Sequence, residues 1–442
     1  MATLDHKFSR LAALKPARTP AVRSTTLREP CEEDTMARLL GAGVSTNRFG
    51  EHLAVRNWFS TPEFVAPHSS CLQLLSQQRD EVISRRTCAA LENPEKWLFL
   101  DTETTGLAGG TGTYPFLIGL AWWDAGGLQV EQLFMRDFAE EHSVLCQLAA
   151  RLVERPVLVT FNGKTFDWPL LENRFRMTRS IAVPGLAAHL DLLHPARALW
   201  KFRLGTVRLT DLEREVLNPT LLGWRRDGDV SSKFIPQFYF DYLRGGPPEP
   251  LLGVARHNQM DLRGLAALFG KINALLAEET SADEETHGLD LFGLSKFLHR
   301  RGDKGRAQVA CAQAVDLGLP AEFHSRAQYD LALMAKRKGE HHRAAELWLE
   351  ILADSEDAIH ACEQLAIHYE KRVKDYERAL EFAHRARRLL RTQANQANVF
   401  ARGGFARRED LSMKRIKRLE GRLTKLAGKL LALADATATD TV

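Results

Sequence analysis

The sequence predicts a mixed α/β sheet domain followed by an all-α helical repeat domain, and three observations carry that prediction. From Trp97 onward, short apolar runs of strand character alternate with helical patterns. An acidic stretch with Glu278, Glu279, Asp283, Glu284 and Glu285 then ends the alternation, and beyond it the periodicity is helical only. Within that second half the pattern recurs at intervals of 37 and then 35 residues, from Gly302 to Gly339 to Lys374.

A chain of 442 residues allows two or three domains, each able to bury a core. Hydrophobic residues make up 45% and charged residues 26%, a globular composition that is neither disordered nor collagenous. No run of about 18 apolar residues occurs, so no membrane-spanning helix is expected. The first 20 residues lack the continuous apolar core of a secretory signal, which leaves a cytoplasmic location as the expectation. Cys31, Cys71, Cys88, Cys146, Cys311 and Cys362 include no CxxC pair, so neither a zinc ribbon nor a disulfide scaffold is indicated. The net charge of +4 is too small to name a nucleic-acid partner, but it is unevenly spread. Residues 385–430 carry 14 Lys and Arg against Glu409, Asp410 and Glu420, an excess of 11 that leaves the remainder at −7.

Taken in order, residues 1–35 hold Pro16, Pro20 and Pro30 without periodicity and are expected to form a flexible arm. Residues 36–95 suggest a strand or two and a helix at 71–86, an extension packed on the sheet domain. The sheet domain spans 96–277. It opens with the strand Trp97–Asp101, continues through a Gly-rich loop at 106–113 to apolar strands at 114–123 and 128–134, and then runs helix 139–154, strand 157–161, a helix from about 167, and a strand at 189–193. Three strands followed by helix, strand, helix and strand make a mixed sheet of the ribonuclease H type. Pro247-Pro248 precedes a long helix at about 250–276. An acidic linker is assigned to 278–290, helical repeats to 291–400, and a basic amphipathic helix and tail to 401–442.

Each of the three repeat units places an alanine five residues after the Gly302, Gly339 or Lys374 position: Ala307, Ala344 and Ala379. Ala314 and Ala386 recur seven further on, and Trp348 fills a large position in the middle unit. Small residues at this spacing let two antiparallel helices pack closely, and the pattern resembles tetratricopeptide repeats. In the tail, Ile416, Leu419, Leu423, Leu426, Leu430 and Leu433 line one stripe, best read as a cap on the last repeat. A dimer seam would need more heptads, and a phosphate-binding role for the tail is compatible with either reading.

Asp101 and Glu103 lie two apart at the end of a strand, so both carboxylates face the same side. Asp167, in Asn162-Gly-Lys-Thr-Phe-Asp167, stands where a loop turns into a helix, a position aspartate also favours as a cap. Asp261 lies four residues after His257, so on a helix the two share a face. Any one of these is weak evidence, but four carboxylates in this order suit two magnesium or manganese ions about 3.5 to 4 Å apart, with His257 beside them to orient or deprotonate a water. The glycine loop 106–112 has no GxxxxGK[ST] lysine and no helix after it, which excludes a P-loop.

Asp-Thr-Glu-Thr-Thr-Gly at 101–106, Asn-x-x-x-Phe-Asp at 162–167 and His-x-x-x-Asp at 257–261 resemble the motifs of the DEDD exonuclease superfamily, which is built on the ribonuclease H fold. The longer runs 99–113, 159–171, 189–197 and 235–243 are similar to those of the bacterial YprB-like ribonuclease H-like proteins, over about residues 50–430. The resemblance implies metal-dependent removal of nucleotides from the 3′ end of DNA or RNA, with Asp101, Glu103, Asp167 and Asp261 as ligands. It further implies that Thr104, Thr105 and Gly106 meet the terminal nucleotide, that Asn162 and Lys164 contact the strand, and that Asp191 lies behind the site. One departure stands out: His257 is a histidine at the four-residue spacing that the tyrosine-type enzymes use. The helical repeats are expected to hold a protein partner in their concave groove. The alternative reading is a catalytically weak or inactive nucleic-acid-binding or protein-interaction scaffold. A scaffold has no need of four mutually repelling carboxylates, which favours the enzyme.

Overall fold

The computed structural model describes residues 34–64, 66, 89–106, 112–218, 222–277, 287–353, 358–396 and 402–439. The expected N-terminal arm except its last two residues, the helix at 71–86, most of the glycine loop and most of the acidic linker lie outside the described residues.

A seven-stranded sheet has the order β1-β2-β5-β4-β3-β6-β7. After a short helix α1 (Thr35–Leu40), β1 (Gly43–Asn47) and β2 (Gly50–Phe59) form an antiparallel edge. β3 (Trp97–Thr104), β4 (Pro115–Asp124) and β5 (Gly127–Phe134) form a central meander. α2 (Glu141–Glu154) leads to β6 (Val157–Thr160), and α3 (Asp167–Thr178) leads to β7 (Ala188–Asp191); β6 runs parallel beside β3, and β7 parallel beside β6. β2 pairs with β5 from Leu53↔Phe134 to Phe59↔Leu128. Residues 43–59 are therefore part of the sheet, and a boundary at residue 96 cuts through one hydrogen-bonded body. Their short apolar pieces carry little periodicity, because β1 is largely exposed and β2 is buried over four consecutive residues, His52 to Val55.

Alternation along β3 sets the two faces. Trp97 and Phe99 enter one apolar cluster with Val157, Val159 and Phe269, whereas Leu98 and Leu100 enter another with Leu158, Leu171 and Phe175. The helices α4 (Leu193–Leu204), α5 (Leu209–Glu215) and α6 (Ile235–Leu243) surround this sheet, and α7 (Glu249–Leu276) crosses between the clusters. Its early residues Leu251, Val254 and Ala255 pack in the second cluster, and its later ones from Met260 to Leu276 pack in the first.

The helical half contains α8 (Gly288–Arg301), α9 (Lys304–Asp316), α10 (Ala321–Lys338), α11 (His341–Glu350), α12 (Ala358–His368), a π-helical turn (Tyr369–Val373), α13 (Tyr376–Gln396) and α14 (Arg402–Thr439). α8 begins inside the range assigned to the linker, and it shares the first apolar cluster with α4 and α7 through Phe292, Leu294 and Leu298. Gly293 allows this approach, since a Cβ there would lie 2.1 Å from the Leu199 carbonyl oxygen of α4. The three aligned positions do one job. Gly302 (φ 93°), Gly339 (φ 90°) and Lys374 (φ 65°) each end a helix in the left-handed conformation. Ala307, Ala344 and Ala379 are each fully buried five residues later. In α14, Ile416 and Leu419 join the core formed by α11, α12 and α13, whereas Leu426 is 42% exposed, so the stripe is covered only over its first part. The side chains of Leu430 and Leu433 lie outside the described residues.

Candidate active site

The carboxyl ends of the parallel strands β3, β6 and β7 open at one edge of the sheet, where open α/β sheets place their ligands. Asp101 and Glu103 continue the face of Trp97 and Phe99 that α7 covers. Asp167 is the first residue of α3, one position past the cap, and it reaches the end of β3 from the other side: Thr102 Oγ1 donates to its Oδ1 at 2.5 Å. His257, Asn258 and Asp261 lie on α7 at the crossing between the two clusters. The two residues four apart share a face as expected, with His257 Nε2 and Asp261 Oδ2 3.5 Å apart.

Glu103, His257 and Asp261 each offer a ligand atom, all within 4.8 Å of one another. Asp101 and Asp167 belong to the same field of charge. Burial pushes the Asp101 carboxyl well above the ordinary carboxylate range, and the charges of Asp261 and Asp167 push it further. Glu103, 9% exposed, is raised by burial and then by Asp101, Asp261, Asp167 and Asp229. Burial raises Asp167 to about 6, against the opposing hydrogen bond from Thr102. Asp101, Glu103 and Asp167 are thus all pushed towards the neutral acid, the condition a divalent cation relieves. Hard oxygen donors of this number and spacing fit magnesium or manganese.

Asn258 is the residue whose part in the site sequence reasoning missed. Fully buried, it donates through Nδ2 to Asp101 Oδ2 at 2.8 Å and to the Asp101 carbonyl at 3.3 Å, and its Oδ1 accepts from Gln132 Nε2 at 2.8 Å. The amide cannot titrate, but it fixes the rotamer of Asp101. Gly119 on β4, paired across the sheet with Asp101, makes the room: a Cβ there would lie 2.2 Å from Asn258 Oδ1. An asparagine beside the histidine gave no signal of this, because the contact depends on how closely α7 approaches the sheet.

A second group also escapes sequence reasoning, the turn Arg225-Arg226-Asp227-Gly228-Asp229. Asp229 Oδ2 lies 2.8 Å from His257 Nδ1. With Nδ1–H donating there, Nε2 turns its lone pair towards Glu103 and Asp261. Arg226 Nη1 lies 3.0 Å from Asp229, Nε and Nη2 form a fork on Glu213 at 2.6 and 2.7 Å, and Nη2 also bonds Asp261. Burial works against the Arg226 charge, but Glu213 and Asp261 more than offset it and hold the guanidinium above its ordinary range. Glu213 fits under α7 because of Gly264, where a Cβ would sit 2.0 Å from Glu213 Oε1. Two consecutive arginines with alternating aspartates after them are the available signal, and they look like loop punctuation.

The other sequence candidates line the same edge with their polar groups partly engaged. Thr104 Oγ1 donates to the Gly106 carbonyl at 2.9 Å, and Thr105 exchanges bonds with Tyr114 through both its amide and its hydroxyl. Asn162 takes the left-handed conformation at φ 68°, and its amide and that of Lys164 donate to the two oxygens of Asp191 at 2.8 and 3.1 Å. Asp191 therefore holds the loop that presents Asp167, and the exposed Lys164 side chain stands beside it.

A sequence model of the ribonuclease H superfamily matches residues 98–273, the span from β3 through α7 that carries every group described above. The chain is also 30% identical over 298 residues to the uncharacterized protein YprB of Bacillus subtilis (strain 168), covering 66% of this chain and 70% of that one. The chain belongs to the ribonuclease H superfamily. Its mixed sheet, with three consecutive antiparallel strands and then parallel β6 and β7, agrees with that membership. Ribonuclease H-like proteins usually work with divalent ions, so membership points to a nuclease that binds nucleic acid and metal. Among the described residues, no helix is long and apolar enough to cross a membrane.

Proposed function

We propose that the protein is a DEDD-type 3′–5′ exonuclease that hydrolyses phosphodiester bonds of DNA or RNA by a two-metal-ion mechanism, joined to tetratricopeptide-like repeats. The observation that carries the reading is the convergence of Asp101, Glu103, Asp167 and Asp261 from β3, α3 and α7 on one strand edge. Asp101, Glu103, Asp167 and Asp261 would hold magnesium or manganese there, and bound ions would supply Lewis-acid stabilisation of the charge that builds on the phosphate oxygens.

The chain's own residues supply the rest. Asn258 keeps Asp101 aimed into the cleft, and Thr102 does the same for Asp167. Asp229 fixes the His257 ring so that Nε2 can accept a proton from an attacking water. This arrangement answers the unusual spacing, because the ring is oriented from the Arg226 turn and need not rely on its position along α7. Arg226 lends positive charge to Asp261 and keeps it from swinging out of the cluster. Thr104, Thr105 and Gly106 would border the terminal nucleotide, with Asn162 and Lys164 on the strand's path.

Polarity and metal dependence are tested together on single strands of DNA and RNA labelled at the 5′ end. A 3′–5′ exonuclease gives a ladder that shortens from full length in Mn²⁺ and nothing in EDTA. Asp101→Asn should lose at least about 10³-fold in rate, and His257→Ala about 10² to 10⁴-fold. Label released at once as a mononucleotide would overturn the polarity, and an intact strand at millimolar Mn²⁺ would overturn the enzyme in favour of a binding scaffold.

A further inference from the structure

The repeat half carries a concentration of positive charge that the proposed active site does not use. Glu370, in the π-helical turn after α12, is 2% exposed, yet three arginines of α14 share it: Arg418 by a fork at 3.0 and 2.9 Å, Arg422 at 3.5 Å and Arg415 at 3.6 Å. Three charges on one carboxylate leave a surplus of two. The neighbouring residues of the turn, Lys371 and Arg372, are exposed and make no ion pair among the described residues. Lys336, in the last turn of α10, reaches the same place by donating to Gln364 of α12 at 2.7 Å.

These cations crowd one another. Burial and then the charges of Lys371, Arg372 and Arg415 hold the Lys336 ammonium below its ordinary range. Burial and then His341, His342 and Arg372 do the same to His368, the last residue of α12. Basic residues at a helix C-terminus are ordinary, since they complement its dipole. Cations from α10, the π-helical turn and α14 packed closely enough to repel one another are not, and an anion covering them would relieve the repulsion that Glu370 leaves. The occupant is a repeating anion, because the cations come from three elements.

We infer that this face of the repeats, formed by Lys336, Lys371, Arg372, Arg415, Arg418 and Arg422, binds the phosphodiester backbone of a nucleic-acid strand. The inference rests on the nuclease reading in one respect. A strand entering four carboxylates, in a chain whose remainder outside residues 385–430 has a net charge of −7, is repelled by most of the protein and needs a cationic anchor elsewhere. An acidic peptide is the competing occupant, since helical repeats commonly hold peptides. A strand is the better fit, however, because these cations lie in the last turn of α10, in the turn after α12 and along the middle of α14, a spread of like charge that suits a repeating backbone.

The test is fluorescence anisotropy of a labelled single strand of about 20 nucleotides with the full-length protein in EDTA, so that no hydrolysis intervenes. Lys371→Glu with Arg372→Glu should weaken binding about 10-fold or more, and Lys371→Gln with Arg372→Gln less. The slope of log K against log salt should fall by about 1.4, roughly 0.7 for each of two lost phosphate contacts. Both pairs are exposed, and an unchanged melting curve shows that each variant folds. Wild-type affinity and slope in the glutamate variant would overturn the inference, as would polyglutamate displacing the strand at equal charge concentration. Hydrolysis in Mn²⁺ is read separately: a wild-type protein that cleaves while its glutamate variant binds normally refutes this surface alone, and one that never cleaves but loses binding in the variant refutes only the nuclease.

Discussion

Asp167 shows most directly how the chemistry of the site costs stability. Its carboxyl is raised to about 6 in the fold, from an ordinary value of 3.8, mainly by burial. The sign comes from proton binding. Between these values the folded protein holds the proton and the unfolded chain does not, so without metal the group's cost to the folded state builds from about pH 4 and is fully present above about 6. Asp167→Asn should therefore stabilise the metal-free protein by about 1 to 3 kcal/mol at about pH 8, with the gain shrinking to nothing as the pH falls below about 4. Urea unfolding in EDTA at the two pH values measures this; a variant less stable than wild type at the higher pH contradicts the account. At this scale the sequence is legible where spacing fixes direction. Residues two apart on β3 and four apart on α7 have to point together. It is illegible where the contact runs between elements: nothing near Asn258 announces Gly119 across the cleft, and nothing near His257 announces Asp229, 28 positions earlier.

At the scale of elements, the aligned Gly302, Gly339 and Lys374 are three left-handed helix ends with a buried alanine after each, because a helix pair that packs closely needs both features locally. The strands β1 and β2 are only faintly visible in the sequence, since β1 owes its place to pairing with β2, and β2 to pairing with β5, more than to their own patterns. The last helix has the apolar stripe of a cap, and Ile416 and Leu419 do seal the core of α11, α12 and α13, but the basic residues beside them have a structural part that composition does not reveal. Arg415, Arg418 and Arg422 hold Glu370, and Arg408 holds Glu363 at 3.0 Å. Ending the chain after Arg408 would expose the apolar pair and leave Glu370 buried without its three arginines. The melting temperature should fall by several degrees, the equivalent of about 3 kcal/mol or more. A truncated protein that melts with the wild type contradicts the cap.

Across the whole molecule, two chemically opposite regions belong to one chain whose first apolar cluster runs from the sheet domain into α8, α9 and α10. α8 packs on α4 and α7 through the glycine gap at Gly293, so the repeats are built onto the sheet domain and do not hang from it. The acidic strand edge is suited to cations, and the basic face of α10, the π-helical turn and α14 is the surface we propose for a strand. That order of charges is a reason for the chain to hold both halves together. The central claim is that Asp101, Glu103, Asp167 and Asp261 form one metal centre, and titration calorimetry of Mn²⁺ into the full-length protein tests it most directly. The account predicts two ions bound per chain, with at least one lost in Asp101→Asn; no binding at millimolar Mn²⁺, or the same two ions in a variant carrying both Asp101→Asn and Asp167→Asn, would contradict it.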